Sequence, residues 1–242
     1  MIIPLKELEG LTYTEHINLK NGLIIIKNFD KIISALPEKR RLKIQDKIKD
    51  FDFLLTLKKL CKNNSPIVHT TYKFSKSLGT YGRLFAQSGS LQNLPREFRN
   101  ALGTNYHDLD MKNAHPEILY QYCSKNGIKC DILTEYINNR DEILASIQDD
   151  GKTMFLKIMN GSKVETDSSF LIKFKEEIKL IHKNICGLNP ELFKSIKNRK
   201  EYNAEGSMMN VILCKIENEL LMTAVQYLKS NGLMLMCLYL MG

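Results

Sequence analysis

The feature that most constrains this chain is a helical stripe. Between residues 167 and 186, Phe170, Phe174, Ile178, Ile181 and Ile185 recur at steps of three and four, the spacing that lines up one face of an α-helix. So apolar a face has to be covered, and the flanking sequence offers the partners. Helical patterns run at about 131–148 and 151–160 before it. After it, Pro190 opens a short basic helix ending in Lys197, Arg199 and Lys200. A long helix from about Gly206 to Ser230 carries Leu213, Ile216, Leu220, Ala224 and Tyr227 on one side, and Asn231-Gly232 stops it.

Around this helical block the pattern changes. His107 to Met111 reads as a strand with Asp108 and Asp110 on one face, and Leu233 to Met241 as a fully buried apolar strand. Leu23 to Ile26, after an Asn-Gly pair, reads as one more strand. A helix from Pro37 to about Cys61 follows the stripe Ile44, Ile48, Phe51, Leu55, and residues 63–66 break the chain. Residues 67–95 suit short strands and an ordered loop, Arg96 to Leu102 a short helix, and Pro116 opens another that runs to about Lys125. The fold class is α+β and helix-rich, divided at 1–65, 66–125, 126–204 and 205–242.

Composition narrows the setting. Hydrophobic residues at 43% and charged residues at 26% are ordinary for a soluble globular protein. The net charge of +8 leans towards an anionic partner, nucleic acid above all, although a Lys- and Asn-rich chain also arises from an AT-rich genome. The cysteines, 61, 123, 130, 186, 214 and 237, form no CxxC pair and have no histidine at zinc spacing, which fits buried free thiols in a reducing compartment. The N-terminus lacks a signal-peptide pattern, and no apolar run is long enough for a membrane helix. The expectation is a soluble intracellular protein.

The chemistry-bearing stretch is residues 82–95, GRLFAQSGSLQNLP, followed by residues 108–119, DLDMKNAHPEIL. A loop offering Arg83, Gln92 and Asn93 stands ahead of a strand carrying two carboxylates, a layout suited to handling a phosphate chain. The loop resembles the signature of family A DNA polymerases, in which T-G-R-L-S-S is followed by N-L-Q-N-I-P. DLDMKNAHPEIL is similar to that family's first catalytic motif, residues 152–162, KTMFLKIMNGS, to the second on the fingers helix, and residues 206–242 to the helix and strand leading into the third. The resemblance covers residues 72–242 in order.

What it implies is a right-hand polymerase palm (66–125 and 205–242) with helical fingers (126–204), acting on primer–template DNA and dNTPs, in a virus or mobile element. The host compartment would then be cytoplasm or nucleus, with replication accessory proteins as further partners. Two Mg2+ ions about 4 Å apart would align the attacking and leaving oxygens, held by Asp110 with Asp108 as fallback. Lys157 would grip the triphosphate, with Asn160 and Gly161 a turn further on. Arg83 and Gln92 would contact the minor groove, and Asn93, Arg99 and Asn113 would support substrate binding. His115 stands where the family excludes a ribose 2′-hydroxyl; capping the helix that begins at Pro116 is an equal reading. Asp108 as a solvated or capping residue, and Lys152 as part of a solvated helix face, are the bland alternatives.

One departure is large. The third motif should bring a second aspartate, but the sequence ends CLYLMG. A one-base loss from TTT-GAT-GGG to TTG-ATG-GG would turn Phe-Asp-Gly into Leu-Met-Gly, which predicts a C-terminally incomplete palm and an impaired polymerase. The alternative is a non-catalytic nucleic-acid-binding remnant or accessory replication protein. A third possibility is a basic helical protein with chance motif matches.

Overall fold

A computed structural model describes residues 10–49, 53–74, 84–87, 90–106, 111–147 and 151–232. The order is β1 (Thr12–His16), α1 (Leu19–Ser34), α2 (Glu38–Lys49), α3 (Phe53–Lys62), β2 (Ile67–Phe74) and β3 (Leu84–Ala86). A 3₁₀ turn at Leu91–Asn93 leads to α4 (Arg96–Leu102), α5 (Ala114–Lys125), α6 (Asp131–Asn138), α7 (Arg140–Ser146) and α8 (Gly151–Met159). Then come α9 (Ser169–Leu188), α10 (Pro190–Lys197) and α11 (Ala204–Ser230). This is a helix-rich α+β chain with a small sheet, and no helix among the described residues is long and apolar enough to cross a membrane. The strands expected at 107–111 and 233–241 fall largely outside the described residues, and no polymerase palm is shown.

Contacts divide the chain into two units, one of Met1–Lys76, Leu84–Asp110 and Met222–Met241, the other of Ser77–Arg83, Met111–Leu221 and Gly242. The first holds the antiparallel sheet, in the order β1-β2-β3. Thr12 faces Thr71 and His16 faces Ile67, while Tyr72 faces Ala86 and Phe74 faces Leu84. Alternation sends Tyr13 and Glu15 inward from β1, and Thr70, Tyr72 and Phe74 inward from β2. Tyr13 and Tyr72 meet edge to face at 5.8 Å. A separate apolar cluster gathers Ile25, Ile33, Ile44, Leu57, Phe98 and Leu102 from α1 to α4.

Two expectations fail in this unit. Leu23 to Ile26 is helical, part of α1, where Ile25 is buried but Leu23 and Ile24 are exposed. Asn18 explains it: its side-chain oxygen accepts the Asn21 backbone N–H at 3.0 Å and caps the helix. Gly22, taken for a turn signal, instead lets α1 approach α3. A Cβ there would stand 3.1 Å from Cys61 Sγ and 3.2 Å from Leu57 Cδ1. The helix expected from 37 to 61 is helical at Glu38–Lys49 and Phe53–Lys62, residues 50–52 lie outside the described ones, and the expected stripe fails at Leu55, which is exposed while Leu57 is buried.

The second unit is helical. Phe174, Ile178, Ile181 and Ile185 of α9 are buried, as their spacing requires. Tyr136 stacks on Phe155 with ring centroids 4.1 Å apart, and Phe155 meets Phe174 at 4.9 Å. Each phenylalanine so buried contributes about 1.5–3 kcal/mol. Glu177 of α9 accepts the Ile132 and Leu133 backbone N–H groups at 2.9 and 2.7 Å, capping α6 with a carboxylate where the helix dipole favours one.

The stripe expected on α11 holds only in its first half, where Leu213 is buried and Ile216 packs against the core. Leu220, Ala224 and Tyr227 are exposed, whereas Val211, Cys214, Asn218, Met222 and Val225 are buried at steps of three and four. Choosing the most apolar face overlooked that this helix turns polar side chains inward.

Candidate functional site

Arg83, Asp108 and Asp110, the centre of the sequence-based site, lie outside the described residues. Gln92, Asn93 and Arg99 belong to the first unit. There the Gln92 side-chain oxygen accepts the Ala86 backbone N–H at 2.6 Å. Asn93 Nδ2 donates to the Gln87 and Ala86 carbonyls at 2.8 and 3.3 Å. Ser90, at the head of the same turn, donates to the buried Glu15 carboxylate at 2.7 Å, and the Leu91 N–H does so at 2.7 Å. These amides clasp the loop onto β3. Arg99 sits half-buried on α4.

The other described candidates lie in the second unit, and the structure organises them along the inward face of α11. Asn210, Cys214 and Glu217 stand at i, i+4 and i+7, so one side of the helix presents all three. His115, in the first turn of α5, meets them. Its Nε2 lies 3.5 Å from Glu217 Oε2, and His115, Cys214 and Glu217 each offer a ligand atom, all within 4.8 Å of one another. Cys214 and Glu217 are buried, and the His115 side chain is 12% exposed.

Electrostatics at this cluster are unusual. Burial alone would favour neutral His115, but hydrogen bonding to Cys214 and Glu217, with the Glu217 charge, outweighs it and pushes the imidazole up to about 9. His182, by contrast, is buried 3.0 Å from the Met159 carbonyl, and burial depresses its pKa.

A polar chain extends from the cluster. The Cys214 thiol donates to Asn210 Oδ1 at 3.6 Å, and Asn210 Nδ2 donates to Asn160 Oδ1 at 3.2 Å. Asn203 Nδ2 donates to the Asn160 carbonyl at 2.8 Å. Gly161, at φ +71°, and Gly206 let the loop after α8 approach α11 this closely. A Cβ at Gly206 would collide with the Asn160 carbonyl oxygen. Lys157 is exposed, one turn before Asn160.

Asn113 takes a left-handed conformation, φ 55°, before α5. Its Nδ2 is buried with no hydrogen-bond partner among the described residues. It lines an open cleft of about 410 Å³ with Lys112, Glu117, Asn138, Arg140 and Glu142. Thus His115 and Asn160 are joined through α11, and Gly161 packs beside them. Cys214, Glu217, Asn203 and Asn210 were missed. The available signal was a carboxylate, a thiol and an amide at helical spacing inside an otherwise apolar helix.

Comparison with known proteins corrects the family expectation. The chain is 28% identical over 229 residues to a protein named "Putative helicase V13" of Sputnik virophage, an alignment taking in 85% of this chain. The chain spans about 29% of that protein's length. No family model matches, and no solved structure does. The family A polymerase assignment and its template-directed DNA synthesis therefore do not stand, and the inference of a truncated third motif loses its basis.

Proposed function

We propose that this chain is the nucleic-acid-binding part of a helicase-type replication enzyme. The similarity to the putative virophage helicase carries the reading, and the net charge of +8 supports it, because phosphate neutralisation supplies most of the affinity in sequence-independent binding. The ATP-driven motor is assigned to other sequence. A P-loop needs G-x-x-x-x-G-K-[ST] between a strand and a helix. Here Gly151-Lys152-Thr153 opens α8, but Ser146 replaces the leading glycine and α7 precedes it instead of a strand.

Exposed lysines supply candidate phosphate contacts. Lys58, Lys59 and Lys62 occupy the last two turns of α3, and Lys194 and Lys197 the last turn of α10. The test is fluorescence anisotropy with single-stranded and duplex DNA across a salt series, beside an ATPase assay. The expected result is binding whose logarithm falls linearly with the logarithm of salt, and no ATP hydrolysis by this chain alone. Alanine at Lys58, Lys59 and Lys62 should flatten the slope by about 0.7–0.9 for each phosphate no longer neutralised. Binding that is absent at low salt, or indifferent to salt, would refute the reading.

A further inference from the structure

We propose that His115, Cys214 and Glu217 form a binding site for a divalent transition-metal ion, zinc by donor type. The proposal stands apart from the nucleic-acid reading, since it rests on side chains that converge inside the second unit. An imidazole nitrogen, a thiol sulfur and a carboxylate oxygen all lie within 4.8 Å of one another, and no other group of three such residues among the described ones does so. Tetrahedral zinc takes this mixed N/S/O set, whereas magnesium and calcium prefer oxygen alone.

Two features support a metal over a plain interhelical ion pair. First, the donors come from two elements in an economical arrangement: Cys214 and Glu217 are three residues apart on α11, and His115 faces them from the first turn of α5. Second, charge balances in a buried place. A zinc dication with a thiolate, a carboxylate and a neutral imidazole sums to zero.

Loading would release the Cys214 thiol proton and any proton on His115 into solvent, because the bound forms are thiolate and neutral imidazole. Three protein ligands leave one tetrahedral position for water or a ligand group.

The test uses the full chain expressed with zinc and purified without chelators. Elemental analysis should find about one zinc per chain. Cobalt(II) added to the chelator-stripped protein should give a thiolate-to-cobalt charge-transfer band. Cys214→Ser should abolish that band, while His115→Ala and Glu217→Gln weaken metal binding about 10-fold or more. Cys123→Ser should keep both zinc and band, because that buried thiol lies in another part of the core. Circular dichroism of each variant confirms that it folds. A folded wild-type chain with neither stoichiometric zinc nor a cobalt–thiolate band overturns the site. So does a Cys214→Ser protein that retains them.

Discussion

Glu15 and Glu217 are both buried glutamates, one in each unit, and they are held in opposite ways. Glu15 is 0% exposed and its two oxygens accept short bonds, one from the Ser90 hydroxyl and one from the Leu91 N–H, both 2.7 Å. That carboxylate is fully used in fastening the 3₁₀ turn to β1. Glu217 is 1% exposed, and its Oε2 faces an imidazole at 3.5 Å with a thiol alongside. That separation is longer than a well-made hydrogen bond. A carboxylate surrounded by backbone and hydroxyl donors is an anchor. One placed among a histidine and a cysteine is equipped for chemistry, because all three side chains can bind a metal or exchange a proton.

The sharpest way to break this contrast is to remove the anchor. Glu15→Ala strands two buried donors, at about 1–3 kcal/mol each, so a loss on the order of 2–6 kcal/mol is expected in chemical denaturation. Glu217→Gln in metal-free protein keeps the side chain's shape but removes the charge that holds the His115 proton, so it should cost on the order of 1–3 kcal/mol, less than Glu15→Ala. If Glu217→Gln proves the more destabilising of the two, Glu217 is an anchor as well and the contrast fails.

The same contrast explains what could be read from the sequence. α9 was legible because its buried side chains are mostly apolar and recur at helical spacing, so Phe174 through Ile185 announce the inward face even with His182 buried among them and Leu180 exposed. The bounds of α4 at Arg96 and Leu102 were legible too, since Pro95 and Gly103 flank it. α1 was not, because three consecutive isoleucines suit a strand and only the Asn18 cap decides for a helix. The inward face of α11 was not legible for a more general reason. Periodicity assumes that water and core sort polar from apolar, and a buried Cys214, Glu217 and Asn218 violate that assumption. Departures of this kind collect where a protein keeps chemistry inside.

A second, smaller effect probes how the polar chain beside Glu217 is assembled. At Gly206 an added Cβ meets the Asn160 carbonyl oxygen, which is backbone and cannot swing aside. Gly206→Ala should therefore cost about 1–3 kcal/mol by overpacking. By displacing Asn160 it should also loosen Asn210 and hence the orientation of Cys214. Thermal unfolding reads the first consequence and cobalt–thiolate absorbance the second. Loss of stability with an unchanged cobalt band would separate the backbone approach from the site.

The smallest expected effect compares His182 with His115, two histidines of the second unit. His182 has a carbonyl oxygen, that of Met159, in front of its Nε2 at 3.0 Å, so the neutral ring with Nε2 protonated donates that bond. Burial, the larger influence, depresses its pKa, and the Met159 bond and the Glu205 charge only partly offset this. The unfolded chain then binds the proton more readily than the folded one. Stability attributable to His182 is full above the ordinary histidine value of 6.5 and is lost progressively as pH falls below it. His182→Gln keeps an N–H donor for Met159 but does not titrate, so its melting temperature should fall less than the wild type's between neutral and mildly acidic pH. Parallel pH dependence of the two melting temperatures over that range would show that folding leaves the His182 pKa unshifted, and would leave His115 without its contrast.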